Sequence, residues 1–292
     1  MRVGYFLPQI GPVAAPHALV RVAQQAEALG YDSLWVADRV LYPLAPRTPY
    51  PETPDGLLPP AYKVVFDPVQ TLTFVAAHTS RIALGTCVLN MPFYNPVLLA
   101  RQLTTLDVLS GGRLQVGLGQ GWSKDEFAAV GASFHGRGRR ANEFLQVLKA
   151  IWTTDPVEFH GEFFEIPHSI IQPKPVRTPH PPIWLGADAP AAMQRAATLA
   201  DGWYPQYRTL DILAQGIDQY KTMAQAAGRD PAALDVLVYV GQLHGTAEEN
   251  AATIEAMRAL GVTEVIFDPT YDPEGASEDS FLRSMERMHR LL

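Results

Sequence analysis

An alternation of short apolar runs and amphipathic stretches, sustained along nearly the whole chain, limits the folds open to it. Residues 3–7 have strand character. Residues 16–29 have helical spacing, with Leu19, Val20, Ala23, Ala26 and Leu29 on one face and Gly30 as the stop. A second strand at 33–37 and a second helix at 68–78 follow, the helix with Asp67 at its cap and Pro68 in its first turn. The stretch 81–126 is the clearest unit: a strand ending in Gly85-Thr86-Cys87-Val88, a helix over 96–109, a Gly-Gly turn, and a strand over 113–118 running into Gly119-Gln120-Gly121-Trp122. Strands joined by such a crossover lie parallel. The pattern resumes with strands at 183–185, 202–204, 236–240 and 264–267. Helices at 190–199, 210–227, 247–260 and 278–291 follow them. About eight strands, each followed by a helix, predict an α/β (β/α)8 TIM barrel over residues 1–292 as one domain, with a doubly wound open sheet as the alternative.

Two insertions interrupt the rhythm. Residues 40–66, after strand two, carry Pro43, Pro46, Pro49, Pro51, Pro54, Pro59 and Pro60, together with Tyr42, Tyr50, Tyr62 and Phe66. So long an irregular connection is uncommon, and its aromatics favour an ordered loop beside a pocket. Before strand five lie helical stretches at 124–130 and 139–152. A hairpin over 157–166 is expected to turn near His160-Gly161, and a proline-rich return at 172–182 follows.

With 292 residues, 47% of them hydrophobic, the chain can bury the core that such a barrel needs. The net charge of −7, with positive residues scattered except at Arg137, Arg139 and Arg140, argues against a nucleic-acid partner. The Arg cluster reads as a solvated helix start, with a ligand-phosphate contact as the alternative. Cys87 is the one cysteine, which excludes an intrachain disulfide and a cysteine-rich metal site. No run reaches the roughly 18 apolar residues of a membrane span, and the first residues enter a strand without the features of a signal peptide; a cytoplasmic location without membrane association is expected.

In a parallel barrel the chemistry gathers at the C-terminal ends of the strands. Those ends read Pro8-Gln9, Asp38-Arg39, Thr86-Cys87-Val88, Gln120-Gly121-Trp122, Gly186-Ala187-Asp188, Pro205-Gln206-Tyr207, Gln242-Leu243-His244 and Asp268-Pro269-Thr270. They hold no metal-ligand spacing, no nucleophile elbow and no phosphate loop of the Walker type. Glycine-rich ends that are poor in acid–base groups suit a planar cofactor carrying the chemistry itself. The run Gly117-Leu118-Gly119-Gln120-Gly121 has G-x-G-x-G spacing, which is not the dinucleotide fingerprint. The turn Gly186-Ala187-Asp188-Ala189-Pro190 is the best phosphate candidate, because it opens onto a helix N-terminus; Asp188 is expected to cap that helix.

Several longer motifs resemble the luciferase-like monooxygenase superfamily. They are S-L-W-V-A-D at 33–38, T-S-R-I-A-L-G-T at 79–86 and N-P-V-L-L-A-R-Q-L-T-T-L-D-V-L-S-G-G-R-L at 95–114. Further along come G-L-G-Q-G-W-S-K-D-E-F at 117–127, P-K-P-V at 173–176 and P-P-I-W-L-G-A-D-A-P-A-A at 181–192. Their order is most similar to the branch that uses the deazaflavin coenzyme F-420, and FMN-dependent members share much of it. The resemblance implies an isoalloxazine or deazaisoalloxazine ring across the barrel mouth, backed by a non-proline cis peptide at Cys87–Val88. Cys87 would then be a small packing residue behind the ring, with a plain buried thiol in a trans strand as the alternative. Thr86, Cys87, Val88, Gln120, Gly121, Trp122, Gly186, Ala187 and Asp188 are the implied cofactor contacts. Asp38, Arg39 and Trp122 are the implied catalytic positions.

Asp38 would bond the pyrimidine edge or cap its loop. Arg39 stands where the sugar-phosphate dehydrogenases of that branch have histidine, and Trp122 where they have a catalytic glutamate; both departures argue against a glucose-phosphate substrate. Arg39 would bind an anionic or carbonyl group, or form a surface salt bridge. Lys174, Arg177 and Arg208 are scattered candidates for a polyglutamate tail. The implied reaction is hydride transfer between the deazaflavin C5 and a small organic substrate. The alternatives are an FMN-dependent two-component monooxygenase, served by a separate flavin reductase, and a non-catalytic flavin-binding protein. A homodimer paired through barrel helices is a further expectation of the resemblance.

Overall fold

The computed structural model describes residues 1–206, 209–241, 243, 245–271 and 277–291. Its strands are β1 (Arg2–Phe6), β2 (Ser33–Val36), β3 (Ala83–Thr86), β4 (Leu89–Asn90), β5 (Leu114–Gly119), β6 (Val157–His160), β7 (Glu165–Ser169), β8 (Ile183–Gly186), β9 (Gly202–Tyr204), β10 (Asp235–Val240) and β11 (Glu264–Phe267). The neighbour order β3-β2-β1-β11-β10-β9-β8-β5, with a further β3–β5 pairing, closes eight parallel strands into a (β/α)8 barrel. The two-residue β4 continues β3 past Cys87–Val88 and pairs with the end of β5. The hairpin β6–β7 stands outside the barrel as a separate antiparallel pair.

The helices are α1 (Pro16–Leu29), α2 (Pro68–Ala76), α3 (Pro96–Ser110), α4 (Lys124–Ala129), α5 (Arg137–Thr153), α6 (Pro190–Leu199), α7 (Leu210–Ala226), α8 (Ala247–Leu260) and α9 (Glu278–His289). Local chemistry sets their ends. Asp67 accepts the Gln70 amide at the start of α2, Asn95 accepts the Val97 and Leu98 amides at the start of α3, and Gly30 ends α1 at φ 87°. Asp188, expected to cap α6, does not: Ala189 holds that position without a side-chain bond, and the Asp188 carboxylate instead accepts the Gln206 amide at 2.9 Å. The hairpin turns at its His160-Gly161 signal. Residues 161–164 form the turn, because the buried Glu143 carboxylate on α5 gathers the amides of Glu162, Phe163 and Phe164.

The barrel interior is filled by Phe6, Trp35, Trp184, Leu237 and Ile266, with the two indoles 5.7 Å apart. Trp35 crosses the interior over two glycines: a Cβ on Gly4 or Gly85 would lie 2.4 Å from its ring atoms. Below them, at the N-terminal end, Glu264 is fully buried. It accepts from Ser33 Oγ, from Trp35 Nε1 at 3.2 Å and from Arg2 Nε at 2.9 Å. Arg2 also reaches Asp235 at 2.9 Å, and Asp235 accepts from Trp184 Nε1 at 3.3 Å. This network closes one end of the barrel and leaves the other for a site.

Candidate active site

At the C-terminal end of the strands lies a cavity of about 810 Å³, within the range of small-molecule and cofactor sites. Its floor is Phe6, Cys87, Val88, Tyr204 and Tyr239, side chains at the ends of β1, β3, β9 and β10 resting on the buried tryptophans. The Cys87–Val88 peptide is cis, as the resemblance implies, and the Cys87 amide is held by the Val36 carbonyl at 2.7 Å. Burial pushes the Cys87 thiol up to about 12, so it stays protonated at neutral pH and acts as an apolar wall, not a nucleophile.

Two carboxyl groups face this floor. Asp38, only 7% exposed, follows β2 and lines the cavity. Burial raises its pKa to about 6, against the opposing pull of the Asn90 amide on Oδ2 (3.0 Å) and of the Tyr94 hydroxyl. Asp268 follows β11; burial raises its pKa as well, and its oxygens accept the Tyr239 hydroxyl and the Thr270 amide, each at 2.8 Å. A carboxyl with a pKa near neutrality can hold or release a proton at working pH.

Arg39 is no surface salt bridge. Its side chain is 11% exposed, its Nη1 lies 2.7 Å from Oε2 of the buried Glu126, and the other Glu126 oxygen accepts the Val40 amide at 2.9 Å. The guanidinium carbon sits 4.9 Å from the Trp122 ring centroid, 5.4 Å from Tyr62 and 5.9 Å from Tyr50. The 40–66 insertion thus forms an ordered outer wall, as its aromatics suggested. Asp125 fixes the same segment further along, taking Arg47 Nε at 2.7 Å and the Arg47 amide at 2.9 Å. Over the mouth, Glu52 accepts the Tyr50 hydroxyl and Gln206 Nε2, each at 2.7 Å, joining the insertion to the segment after β9.

Of the implied cofactor and catalytic positions, Asp38, Arg39, Cys87, Val88 and Trp122 converge on the cavity, joined by the strand-end residues Pro205, Gln206, Leu243 and Asp268. Thr86 does not: its buried hydroxyl donates to the Gly117 carbonyl at 2.9 Å and accepts the Gly117 amide at 3.0 Å, joining β3 to β5. Gly121, at φ 67°, is packed near Phe93, Phe127 and Asn90, and Gln120 Nε2 reaches toward the Arg137 carbonyl at 3.4 Å. Gly186 adjoins the floor, since a Cβ there would lie 3.5 Å from Val88 and 3.6 Å from Tyr204. Ala187 is buried, with its carbonyl taken by Trp203 Nε1. Lys174 Nζ is held by the carbonyls of Ile151 and Thr154, and Arg139 pairs with Glu162 at the surface. Tyr207, Arg208, Gln242 and His244 lie outside the described residues. Sequence position did not mark Glu126, Glu52, Tyr204 or Tyr239, the partner of Asp268, for the site. Asp268 itself carried a signal, as the first residue after a strand.

Among the described residues no group of His, Cys, Asp or Glu is placed to hold a metal ion, and no helix is long and apolar enough to cross a membrane. The family model for luciferase-like monooxygenases matches residues 1–278. The chain belongs to the luciferase-like monooxygenase family. An uncharacterised protein of Mycobacterium tuberculosis is 34% identical over 264 residues, covering 88% of each chain. An F420-dependent glucose-6-phosphate dehydrogenase of Amycolatopsis mediterranei is 31% identical over 209 residues, 70% of this chain and 56% of its own. An FMNH2-dependent dimethylsulfone monooxygenase of Pseudomonas putida is 34% identical over 155 residues, 52% of this chain and 42% of its own. The solved structure of a Streptomyces bottropensis monooxygenase superposes with a TM-score of 0.84 at 22% identity, covering 100% of this chain and 98% of its own, a likeness of fold. The family consists of oxidoreductases and monooxygenases, with F420-dependent and FMN-dependent relatives of this chain among them.

Proposed function

We propose that the protein is a deazaflavin (F-420)-dependent oxidoreductase that moves a hydride between the deazaflavin C5 and a small organic substrate. The observation that carries this reading is the buried Asp38 carboxyl, with a pKa of about 6, on the wall of a cavity floored by Cys87 and Val88. A tricyclic ring fits that floor chemically: its side chains are aromatic or small, its thiol is neutral, and Asn90 and Asp38 stand together as polar groups at one edge. When bound, a deazaflavin supplies a two-electron hydride carrier whose ring carbon disfavours one-electron and oxygen chemistry.

The protein's own residues supply the rest. Val88, Cys87 and Tyr204 would support one face of the ring. Asp38 would give a proton to the substrate oxygen in reduction or take it in oxidation, since hydride transfer at a C–O bond requires that proton to move. The 40–66 wall and the Glu52–Gln206 contact would exclude water, which strengthens these interactions.

The P. putida relative favours a second reading, an FMN-dependent monooxygenase supplied by a separate reductase. Titration of the purified protein with deazaflavin and FMN side by side separates the two. The expected result is tighter deazaflavin binding and a deazaflavin absorbance change with an alcohol or ketone substrate. Tight FMN binding with negligible deazaflavin affinity reverses the choice.

A further inference from the structure

The outer half of the cavity differs in chemistry from its floor. Beyond the floor, Ile10, Tyr50, Pro51, Tyr62, Trp122 and Leu243 add aromatic and apolar lining, and Glu52 joins Asp38 and Asp268 as a lining carboxyl group. Among the described lining residues Arg39 is the cation, and its guanidinium is already held by Glu126 and covered by three rings. An anion entering here meets carboxyl groups with no unengaged positive partner among those residues, while a flat neutral molecule meets aromatic and apolar side chains.

We propose that this half of the cavity takes an uncharged, ring-bearing alcohol or ketone and rejects phosphorylated and carboxylated molecules, with Arg39 a positioning residue that stiffens the aromatic wall. The inference rests on the oxidoreductase reading only in the words alcohol and ketone; the charge preference stands on the wall itself. Glu126 engages Arg39 and Val40 together, and the rings of Tyr50, Tyr62 and Trp122 gather around a guanidinium that is already paired. Glu52, pinned over the mouth by Gln206, adds the carboxylate that a second negative charge would approach.

The test uses the purified whole protein and two probes of nearly equal shape, 4-methylbenzyl alcohol and 4-(hydroxymethyl)benzoate. Binding is read without cofactor by tryptophan fluorescence, with Trp122→Phe assigning the signal. The neutral probe is expected to bind about ten-fold tighter or more, because like-charge juxtaposition in a closed site costs at least that factor. Glu52→Gln, whose carbonyl still accepts from Gln206 while its amide donates to the Tyr50 hydroxyl, is expected to narrow the gap several-fold. Arg39→Lys, which keeps the charge but not the planar stacking, should weaken the neutral probe several-fold with little change in thermal midpoint. Because Arg39→Met alone would orphan the buried Glu126, the double variant Arg39→Met with Glu126→Gln tests the receptor alternative; it should leave the neutral-to-anion ratio within about three-fold.

Equal or tighter binding of the carboxylate overturns the proposal, as does failure of both probes to bind, or selective loss of the anion in the double variant. Deazaflavin-linked turnover is scored separately. A neutral preference without turnover removes the oxidoreductase reading and leaves this one standing. Equally efficient turnover of the carboxylated probe does the reverse.

Discussion

Glu264 at the N-terminal end of the barrel and Asp38 at the C-terminal end are both buried carboxyl groups whose pKa is raised by burial, yet their surroundings differ in kind. Glu264 is enclosed by Ser33, Trp35 and Arg2, which occupy its oxygens, and it is not among the residues that line the active-site cavity. Asp38 has the Asn90 amide and Tyr94 on one side and the cavity on the other. Burial alone therefore does not mark a working group. What separates the two is whether the carboxyl still faces a space that a substrate can enter.

The comparison breaks most visibly at the closed end. Glu264→Ala should destabilise the fold by roughly 3–5 kcal/mol in urea unfolding, since it strands Arg2, Ser33 and Trp35, while ligand affinity of the folded fraction stays unchanged. A loss below about 1 kcal/mol would mean that the network is dispensable. At the open end, Asp38→Asn should lower turnover by roughly 10²–10⁴-fold with the fold intact, and undiminished turnover would remove Asp38 from the chemistry.

The pH dependence sharpens the contrast. Asp38 moves from an ordinary 3.8 to about 6 in the fold, so the stabilising contribution of its bound proton is complete below about pH 3.8 and is lost as pH rises through about 6. Between those values the wild type should lose up to about 3 kcal/mol that the Asn variant does not lose, measured by urea titration at each pH. Turnover in the oxidative direction should rise through about pH 6, and in the reductive direction fall. Tyr239→Phe should cost roughly 1–2 kcal/mol, because it removes a donor from the buried Asp268. Arg47→Ala, at an exposed pair with Asp125, should change global stability by less than about 1 kcal/mol in the same assay.

The barrel was legible because its information is local and repeated. Asp67, Asn95 and Gly30 cap their helices through contacts a few residues away, and each apolar run announces its own strand. The strand-end position of Asp38 and Val88 at the cavity followed from the same regularity. The partners of those residues did not. Glu126 lies 87 positions from Arg39, and no local pattern says which of many carboxylates will meet a guanidinium once the barrel closes. Asp188 failed as a cap for the same reason: the Gln206 amide, 18 positions on, offered it a bond. Thr86 carried the right position but turned its hydroxyl to a neighbouring strand, a choice of side-chain direction that spacing does not encode.

The short helix α4 follows the fourth barrel strand, yet its two acidic residues hold the backbone of a segment that belongs to the second. Grafting residues 40–66 from a relative to change what the enzyme accepts would import a wall without its anchors. The smallest unit that could be exchanged between such proteins is a discontinuous one, and swaps that respect only the contiguous loop should yield barrels that assemble but no longer discriminate.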